Sequence, residues 1–420
     1  MDKKTLKDKV RHALVTSHDK FFYGKHIDEN KLKEVIIQIL KDIINSGDIN
    51  LSQQDEEDII NEIVNEFIGL GEIEVFMKDP MVTEIMINGP RKVYIEKMGR
   101  KMLTNVIFDD DASLMRLIYR ILSPTRRRVD ESSPYTDVSL PDGSRVNIII
   151  PPLALDGPTI TIRKFSKELK KAEDLIALGT LDKRMSDFLI ASIKAKINII
   201  FSGSTGAGKT TTLNVFSSYI SEEERIITIE DTAELRLAQE HVVRLEAKQA
   251  NIEGKGEITI RELFKNSLRM RPSRIILGEI RGAEALEMLQ AACSGHRGSL
   301  VVIHGNSPRD VIYRLETIIL TSGMPVALDV IQRQIANTIH LIVHQEQLSD
   351  GSRKITHISQ VNGLRNGEVV VEDIFTYNFE GIDAEGNVKG SWQATGIIPV
   401  FYHLFKKAGI ELSEHLFNKG

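Results

Sequence analysis

The chain has 420 residues, 41% hydrophobic and 27% charged, with a formal net charge of −5. That length exceeds one ordinary hydrophobic core, so at least two domains are expected, and the mildly negative charge argues against a chain that coats nucleic acid. The single cysteine, Cys293, excludes an intramolecular disulfide and any four-cysteine zinc site, and it suits a reducing compartment.

The N-terminus, Met1-Asp2-Lys3-Lys4-Thr5, is charged and no signal-peptide apolar stretch follows it. No stretch approaches the ~18 apolar residues of a membrane span. A cytoplasmic protein is expected, in contact with membrane only through partners. Residues 1–70 read as a helical region. Leu32, Val35, Ile36, Ile39, Leu40, Ile43 and Ile44 make one apolar stripe at helical spacing. Ser52, with Asp55 three residues on, caps a second helix whose apolar face is Ile59, Ile60, Ile63, Val64 and Phe67, a variant of the capping box. Gly69 and Gly71 end it.

Residues 71–165 change to short β-like runs at 82–88, 93–96 and 145–150, separated by Asn88-Gly89-Pro90 and Pro141-Asp142-Gly143 turns. Pro151-Pro152 interrupts the chain and 159–163 alternates again, which reads as an α+β domain. Residues 166–190 read as a linker with a short helix. Over 191–345 strands at 197–201, 226–229, 242–245, 275–277, 300–303 and 341–343 alternate with helices. This predicts an α/β domain built on a largely parallel, doubly wound sheet. Ser307-Pro308 reads as an N-cap and N1 proline. The extension 346–420 reads as β-rich at 354–361 and 369–377, then helical.

One segment carries chemistry directly. Gly203-Ser204-Thr205-Gly206-Ala207-Gly208-Lys209-Thr210 fits G-x-x-x-x-G-K-[ST], the loop that turns backbone N–H groups onto nucleotide phosphates at a helix N-terminus. It follows a predicted strand, Leu213, Phe216, Tyr219 and Ile220 continue into a predicted helix, and Thr211 joins the loop residues in the expected nucleotide-binding set. Lys209 is expected to reach the β/γ-phosphates and Thr210 to offer its hydroxyl to Mg²⁺.

Hydrolysis also needs a carboxylate to orient or deprotonate water. Strand 275–277 ends in Gly278-Glu279, and Glu279 is the expected catalytic base, although many such proteins carry Asp where Gly278 stands. Glu230-Asp231-Thr232-Ala233-Glu234 follows strand 226–229. Strand C-termini of a parallel sheet share one edge, so Glu230 is expected beside Glu279, holding Mg²⁺ through water or positioning the nucleophile. His296 and His304 flank strand 300–303 and are read as sensors of the γ-phosphate. Their spacing fits no simple zinc motif. Arg281, and Arg145 and Arg163 in the preceding domain, are candidates to stabilise charge in phosphoryl transfer.

These boxes occur in a telling order: the phosphate loop, Ile229-Glu230-Asp231-Thr232-Ala233-Glu234, Arg269-Met270-Arg271-Pro272 before Gly278-Glu279-Ile280-Arg281-Gly282, and Gly295-His296 with Ile303-His304. Together they resemble the Walker A, Asp box, atypical Walker B and His box of the type II/type IV secretion ATPase superfamily. Arg127-Arg128-Val129-Asp130-Glu131-Ser132-Ser133-Pro134, Pro141-Asp142-Gly143-Ser144-Arg145-Val146-Asn147, Pro151-Pro152-Leu153-Ala154-Leu155-Asp156-Gly157-Pro158, Leu348-Ser349-Asp350-Gly351-Ser352-Arg353 and Ala394-Thr395-Gly396-Ile397 with Pro399 look like the CpaF/TadA branch, the tight-adherence (Flp) pilus ATPases. The resemblance implies a cytoplasmic homohexamer whose subunits pair an N-terminal domain with a RecA-like P-loop domain. It implies ATP and Mg²⁺ as cofactors and inner-membrane pilus platform proteins as partners. It implies a catalytic role for Glu279 and an approach of Arg145 and Arg163 to the nucleotide. Val301-Val302 departs from the two threonines frequent in the family, Ser123-Pro124-Thr125-Arg126 departs from its usual approach to the Arg-Arg-Val-Asp run, and the tetracysteine module of many type II enzymes is missing.

Two other classes stay open at this level. A RecA-like nucleic-acid translocase is disfavoured by charge and by the lack of a basic stretch interleaved with aromatics. A nucleotide-gated scaffold without hydrolysis is disfavoured by intact Lys209, Thr210 and Glu279.

Overall fold

The computed structural model describes residues 5–7, 9–10, 13–14, 29–47, 51–67, 69–97, 99–125, 127–164, 171–248, 250 and 255–419. Most of the expected helical region before residue 29, residue 165 and residues 166–170 of the expected linker, Arg126 and the side chain of Phe67 lie outside the described residues. The chain divides into two compact units, Met1–Ser166 and Lys167–Gly420.

The first unit opens with α1 (Glu29–Gly47) and α2 (Gln53–Phe67). Their predicted stripes meet: Leu32, Ile36 and Leu40 are buried in one cluster with Ile59 and Ile63. The Ser52 hydroxyl accepts the Asp55 N–H at 3.1 Å and donates to the Asp55 carboxylate at 2.5 Å, which fixes the start of α2. After α3 (Glu74–Lys78) come β1 (Val82–Asn88), β2 (Val93–Lys97), β3 (Arg100–Leu103), α4 (Asp111–Leu122), β4 (Tyr135–Ser139), β5 (Arg145–Ile149) and β6 (Thr159–Arg163). The strands form one sheet in the order β3-β2-β1-β6-β5-β4, every pair antiparallel. Helix α4 starts at Asp110, whose side chain accepts the Ser113 N–H at 2.7 Å. It buries Leu114, Leu117, Ile118 and Ile121 against Ile85, Ile87, Val146, Ile148, Ile160 and Ile162. This is the expected α+β pattern. Strand β3 escaped the sequence reading because all four of its residues are exposed, so it shows no alternation.

The second unit contains α5 (Ala172–Ala177), α6 (Lys183–Lys194), β7 (Ile199–Gly203), α7 (Lys209–Ser217), β8 (Ile226–Glu230), β9 (Val242–Glu246), α8 (Ile260–Ser267), β10 (Arg274–Leu277), α9 (Glu284–Cys293), β11 (Leu300–His304), α10 (Pro308–Thr321), α11 (Leu328–Thr338), β12 (Leu341–Gln347), β13 (Arg353–Arg365), β14 (Glu368–Ile382), β15 (Val388–Ala394) and α12 (His403–Lys407). Its 9-stranded sheet runs β15-β14-β13-β12-β7-β11-β10-β8-β9. From β12 to β9 every pair is parallel. Ile199, Phe201, Leu300 and Val302 face one apolar layer, while Ile200, Val301 and Ile303 face the other. That period of two, buried on both sides, is what a doubly wound sheet requires.

Two segments differ from the sequence reading. Residues 171–190, read as linker, form α5 and most of α6, and Leu175, Met185, Phe188 and Leu189 are fully inside the core. The C-terminal extension is not an appendage, because β13–β15 continue the main sheet through antiparallel pairing. Phe188 lies 5.5–6.5 Å from the rings of Phe375, Phe401, Phe405 and Phe417. Aromatic contacts between segments this distant in sequence weld the tail to α6.

At the N-terminal edge of this sheet Arg274 is fully buried. Its guanidinium binds Glu224 at 2.9 and 3.0 Å and the Ile193 carbonyl at 2.7 Å, and Lys196 also reaches Glu224 at 2.8 Å. Arg274→Ala leaves the half-buried Glu224 carboxylate to Lys196 alone and strips a donor from the Ile193 and Gly298 carbonyls. It is expected to cost about 3–5 kcal/mol, read as an earlier denaturant midpoint for this unit. Arg274→Met refills the volume and is expected to cost less.

Candidate nucleotide site

Parallel register assembles the site from strand ends. Gly203 at the end of β7 pairs with His304 on one side and Gln345 on the other. Leu277 pairs with Ile229, which brings Gly278-Glu279 and Glu230 to the same C-terminal edge. The sequence expectation of one shared edge for these groups is met by the sheet. Residues 204–208 turn between β7 and α7, and Gly208, at φ 97°, caps the helix that Lys209 opens. Thr210 and Thr211 occupy its first turn. Lys209 is buried, and its ammonium donates to the Ser204 carbonyl at 2.7 Å and lies 3.5 Å from His304 Nδ1.

His304 links this lysine to Glu279. Its Nε2 is 3.2 Å from Glu279 Oε1, and Arg281 Nη2 donates to Glu279 Oε2 at 2.7 Å. Arg281 continues to Asp231 at 3.6 Å. This geometry puts Nε2 in the donor position toward Glu279 and Nδ1 toward the ammonium. Burial alone pushes the Glu279 carboxyl up, but the hydrogen bonds from His304 and Arg281 outweigh it and hold the group down to about 2.

Glu230 is the opposite case. It is 2% exposed. Oε1 accepts the N–H groups of Glu234 and Leu235 at 2.8 and 2.9 Å. Oε2 is buried with no hydrogen-bond partner. Burial pushes its carboxyl up to about 7, against the pull of those two N–H groups. This packing explains the departure at Gly278. A Cβ there would stand 2.7 Å from Glu230 Cγ, so the carboxylate from β8 takes the space an Asp at position 278 would need.

One expected residue falls elsewhere within this unit. His296 precedes β11 and His304 is its last residue, so the two stand at opposite edges of the sheet, separated by roughly 13 Å of strand alone. The reading of His296 as a γ-phosphate sensor is therefore corrected: within its own unit it is not at the phosphate loop. Arg145 and Arg163 pair in register on β5 and β6 of the first unit, with Arg163 Nε 3.8 Å from Glu84. The sequence reading also missed Gln345 and Arg353, which touch the phosphate loop. Strand β12 was read only to Val343, and the polar His344-Gln345-Glu346-Gln347 that completes it carries no apolar signal.

Among the described residues no group of three His, Cys, Asp or Glu side chains is placed to hold a metal ion. A hard cation here would take its remaining ligands from phosphate oxygens and water, as Mg²⁺ does. The orphaned Glu230 Oε2 leaves one buried acceptor for a water of such an ion. No helix of the described residues is long and apolar enough to cross a membrane.

Comparison with known proteins shows the family. A family model for type II/IV secretion system proteins matches residues 67–384. A putative conjugal transfer protein of Mycobacterium tuberculosis is 31% identical over 319 residues, covering 74% of this chain and 89% of the relative. The type IV secretion system protein VirB11 of Brucella suis is 30% identical over 318 residues, covering 68% and 86%. Among solved structures, the pilus retraction motor PilT with bound ADP shares the fold with a TM-score of 0.51 at 18% identity, over 72% of this chain and 82% of that one. With a strand–glycine loop–helix, strand-end acids and a sheet of the RecA-like kind in place, the chain belongs to the type II/IV secretion system protein family, the group of the secretion ATPases.

Proposed function

We propose that this chain is an Mg²⁺-dependent ATPase that works as a homohexamer and drives assembly, with retraction as its reverse stroke, of a Tad/Flp-type pilus. It would act at the cytoplasmic face of the inner membrane through platform proteins, with no nucleic acid as partner. The observation that carries the ATPase reading is the convergence of Lys209, His304, Glu279 and Glu230 on the edge that bears the phosphate loop. The pilus branch rests on the signature stretches around Arg127–Pro134, Pro151–Pro158 and Leu348–Arg353.

In this reading the N–H groups of Ser204–Thr211 and the Lys209 ammonium hold the phosphates, and Thr210 would hold Mg²⁺ together with phosphate oxygens and water. The ion, when bound, supplies charge neutralisation. Arg281 and, from the first unit of the same or a neighbouring subunit, Arg145 and Arg163 stabilise charge on the transferring group. The sequence reading gives the base to Glu279. Two features favour the reverse. A carboxylate that already receives His304 and Arg281 is a poor proton acceptor. A buried one whose pKa lies near working pH is a good one. Glu230 is therefore the proposed proton acceptor and Glu279 the group that locks His304 and Arg281.

The test is ATP turnover on size-separated fractions, with Lys209→Ala as the control for binding. Turnover confined to the hexamer-sized fraction, and nucleotide binding lost in Lys209→Ala, is the expected result. Turnover per subunit that stays flat from monomer to hexamer would exclude the ring reading. A well-folded hexamer that binds ATP without turnover would favour the nucleotide-gated scaffold.

A further inference from the structure

We propose that Arg353 and Gln345 are positioning residues of the phosphate loop, so that the β12–β13 hairpin sets the loop's grip on nucleotide. This rests on the reading of that loop as the nucleotide site. The hairpin is antiparallel, with Gln347 opposite Arg353, and its turn is closed by the Leu348 N–H on the Ser352 carbonyl at 2.8 Å. Register with β7 then carries it over the loop.

The contacts fall on all three loop glycines. A Cβ at Gly203 would collide with the Gln345 carbonyl oxygen. One at Gly206 would lie 3.5 Å from Gln347 Oε1, and one at Gly208 would lie 2.9 Å from Gln345 Nε2 and 3.3 Å from Arg353 Cδ. Gly203 and Gly208 thus answer to the hairpin on the outside of the loop as well as to phosphate on the inside. Two hydrogen bonds fix the fit. Arg353 Nε donates to the Gly206 carbonyl at 2.8 Å. Gln345, itself buried, accepts the hydroxyl proton of Thr212 from the first turns of α7 at 2.7 Å.

A loop that binds phosphate must point N–H groups inward and carbonyls outward. A guanidinium on the outward carbonyl of Gly206 holds that peptide plane through a charge-assisted bond. The loop is then ordered before the ligand arrives, and binding loses less to ordering. Because the effect is on loop geometry common to ground and transition states, it should appear in KM more than in kcat.

The experiment compares full-length wild type, Arg353→Ala, Arg353→Lys and Lys209→Ala for ADP and ATP affinity and for KM against kcat. Arg353→Ala is expected to weaken both nucleotides about tenfold or more, raise KM similarly, and leave kcat within about twofold. Arg353→Lys should recover part of the loss. Wild type that binds nucleotide with Arg353→Ala unchanged overturns this proposal alone. Wild type that binds none, or Lys209→Ala that binds as well as wild type, overturns the nucleotide reading and this proposal with it. If Arg353→Ala does not fold, hydrogen exchange on wild type decides. ADP should slow exchange in 204–208 and in 345–356 together, and slowing confined to the loop overturns the proposal.

Discussion

Glu230→Gln is expected to slow ATP turnover by about 10²–10⁴-fold and, in the absence of nucleotide, to make the protein more stable at pH 8. The stability gain follows from linkage. The folded carboxyl sits near 7 against an ordinary 4.5, because burial opposes its charge. The native state therefore binds this proton more tightly than the unfolded chain between those values. Stability falls as pH rises through that window, and above pH 7 the charged group costs its full amount, about 3 kcal/mol at most. Glutamine keeps an oxygen for the Glu234 and Leu235 N–H groups and carries no charge. The variant should gain about 2–3 kcal/mol at pH 8 and nothing near pH 4.5, seen as a denaturation midpoint that separates from wild type only at the higher pH. A variant no more stable than wild type at pH 8 would remove the basis for assigning Glu230 as proton acceptor. A gain in stability with a loss of turnover is the pattern of a group kept for chemistry at a structural cost.

The parts of this site legible in the sequence were those written in local pattern. The phosphate loop is contiguous, and the strands that end at Glu230, Glu279 and His304 are apolar runs whose C-termini a parallel sheet must align. What escaped depended on pairing between distant segments. Nothing near Gln345 or Arg353 announces contact with Gly203–Gly208, since the β12–β13 hairpin reaches the loop only through the β12–β7 register. The fit of Glu230 against Gly278 is likewise a cross-strand relation. His296 misled because two histidines flanking one strand were given one role, although the length of that strand puts them on opposite edges. Residues 171–190 misled for a different reason. The aromatic partners that pull α6 into the core, Phe401, Phe405 and Phe417, come from the far end of the chain.

Glu279→Gln should also stop turnover, by about 10²–10³-fold, yet move stability in the other direction. The carboxylate accepts from two donors at once, His304 and Arg281, and is held near 2 by them against burial. An amide offers one oxygen and one NH₂, so one donor must face another donor. If Arg281 is released, its tie to Asp231 is loosened as well. If His304 changes tautomer instead, its Nδ1–H points at the Lys209 ammonium. Either arrangement disturbs the groups around the phosphates while leaving the loop itself intact, so ATP binding should persist. Because the folded pKa is lowered, the group's stabilising contribution is present above the unfolded value of about 4.5 and fades as pH falls toward 2. After allowance for solvent screening, the variant should lose about 1–2 kcal/mol at pH 7, and the gap to wild type should narrow as pH is taken from 5 toward 3. The same denaturation experiment applied to Glu230→Gln and Glu279→Gln therefore separates the two acids by sign. Two inactive variants shifted in opposite directions would mean that one carboxylate is kept ready for a proton and the other is fixed as a charge. Two shifted the same way would mean that the acids act as one unit, and the division of labour between them would fall.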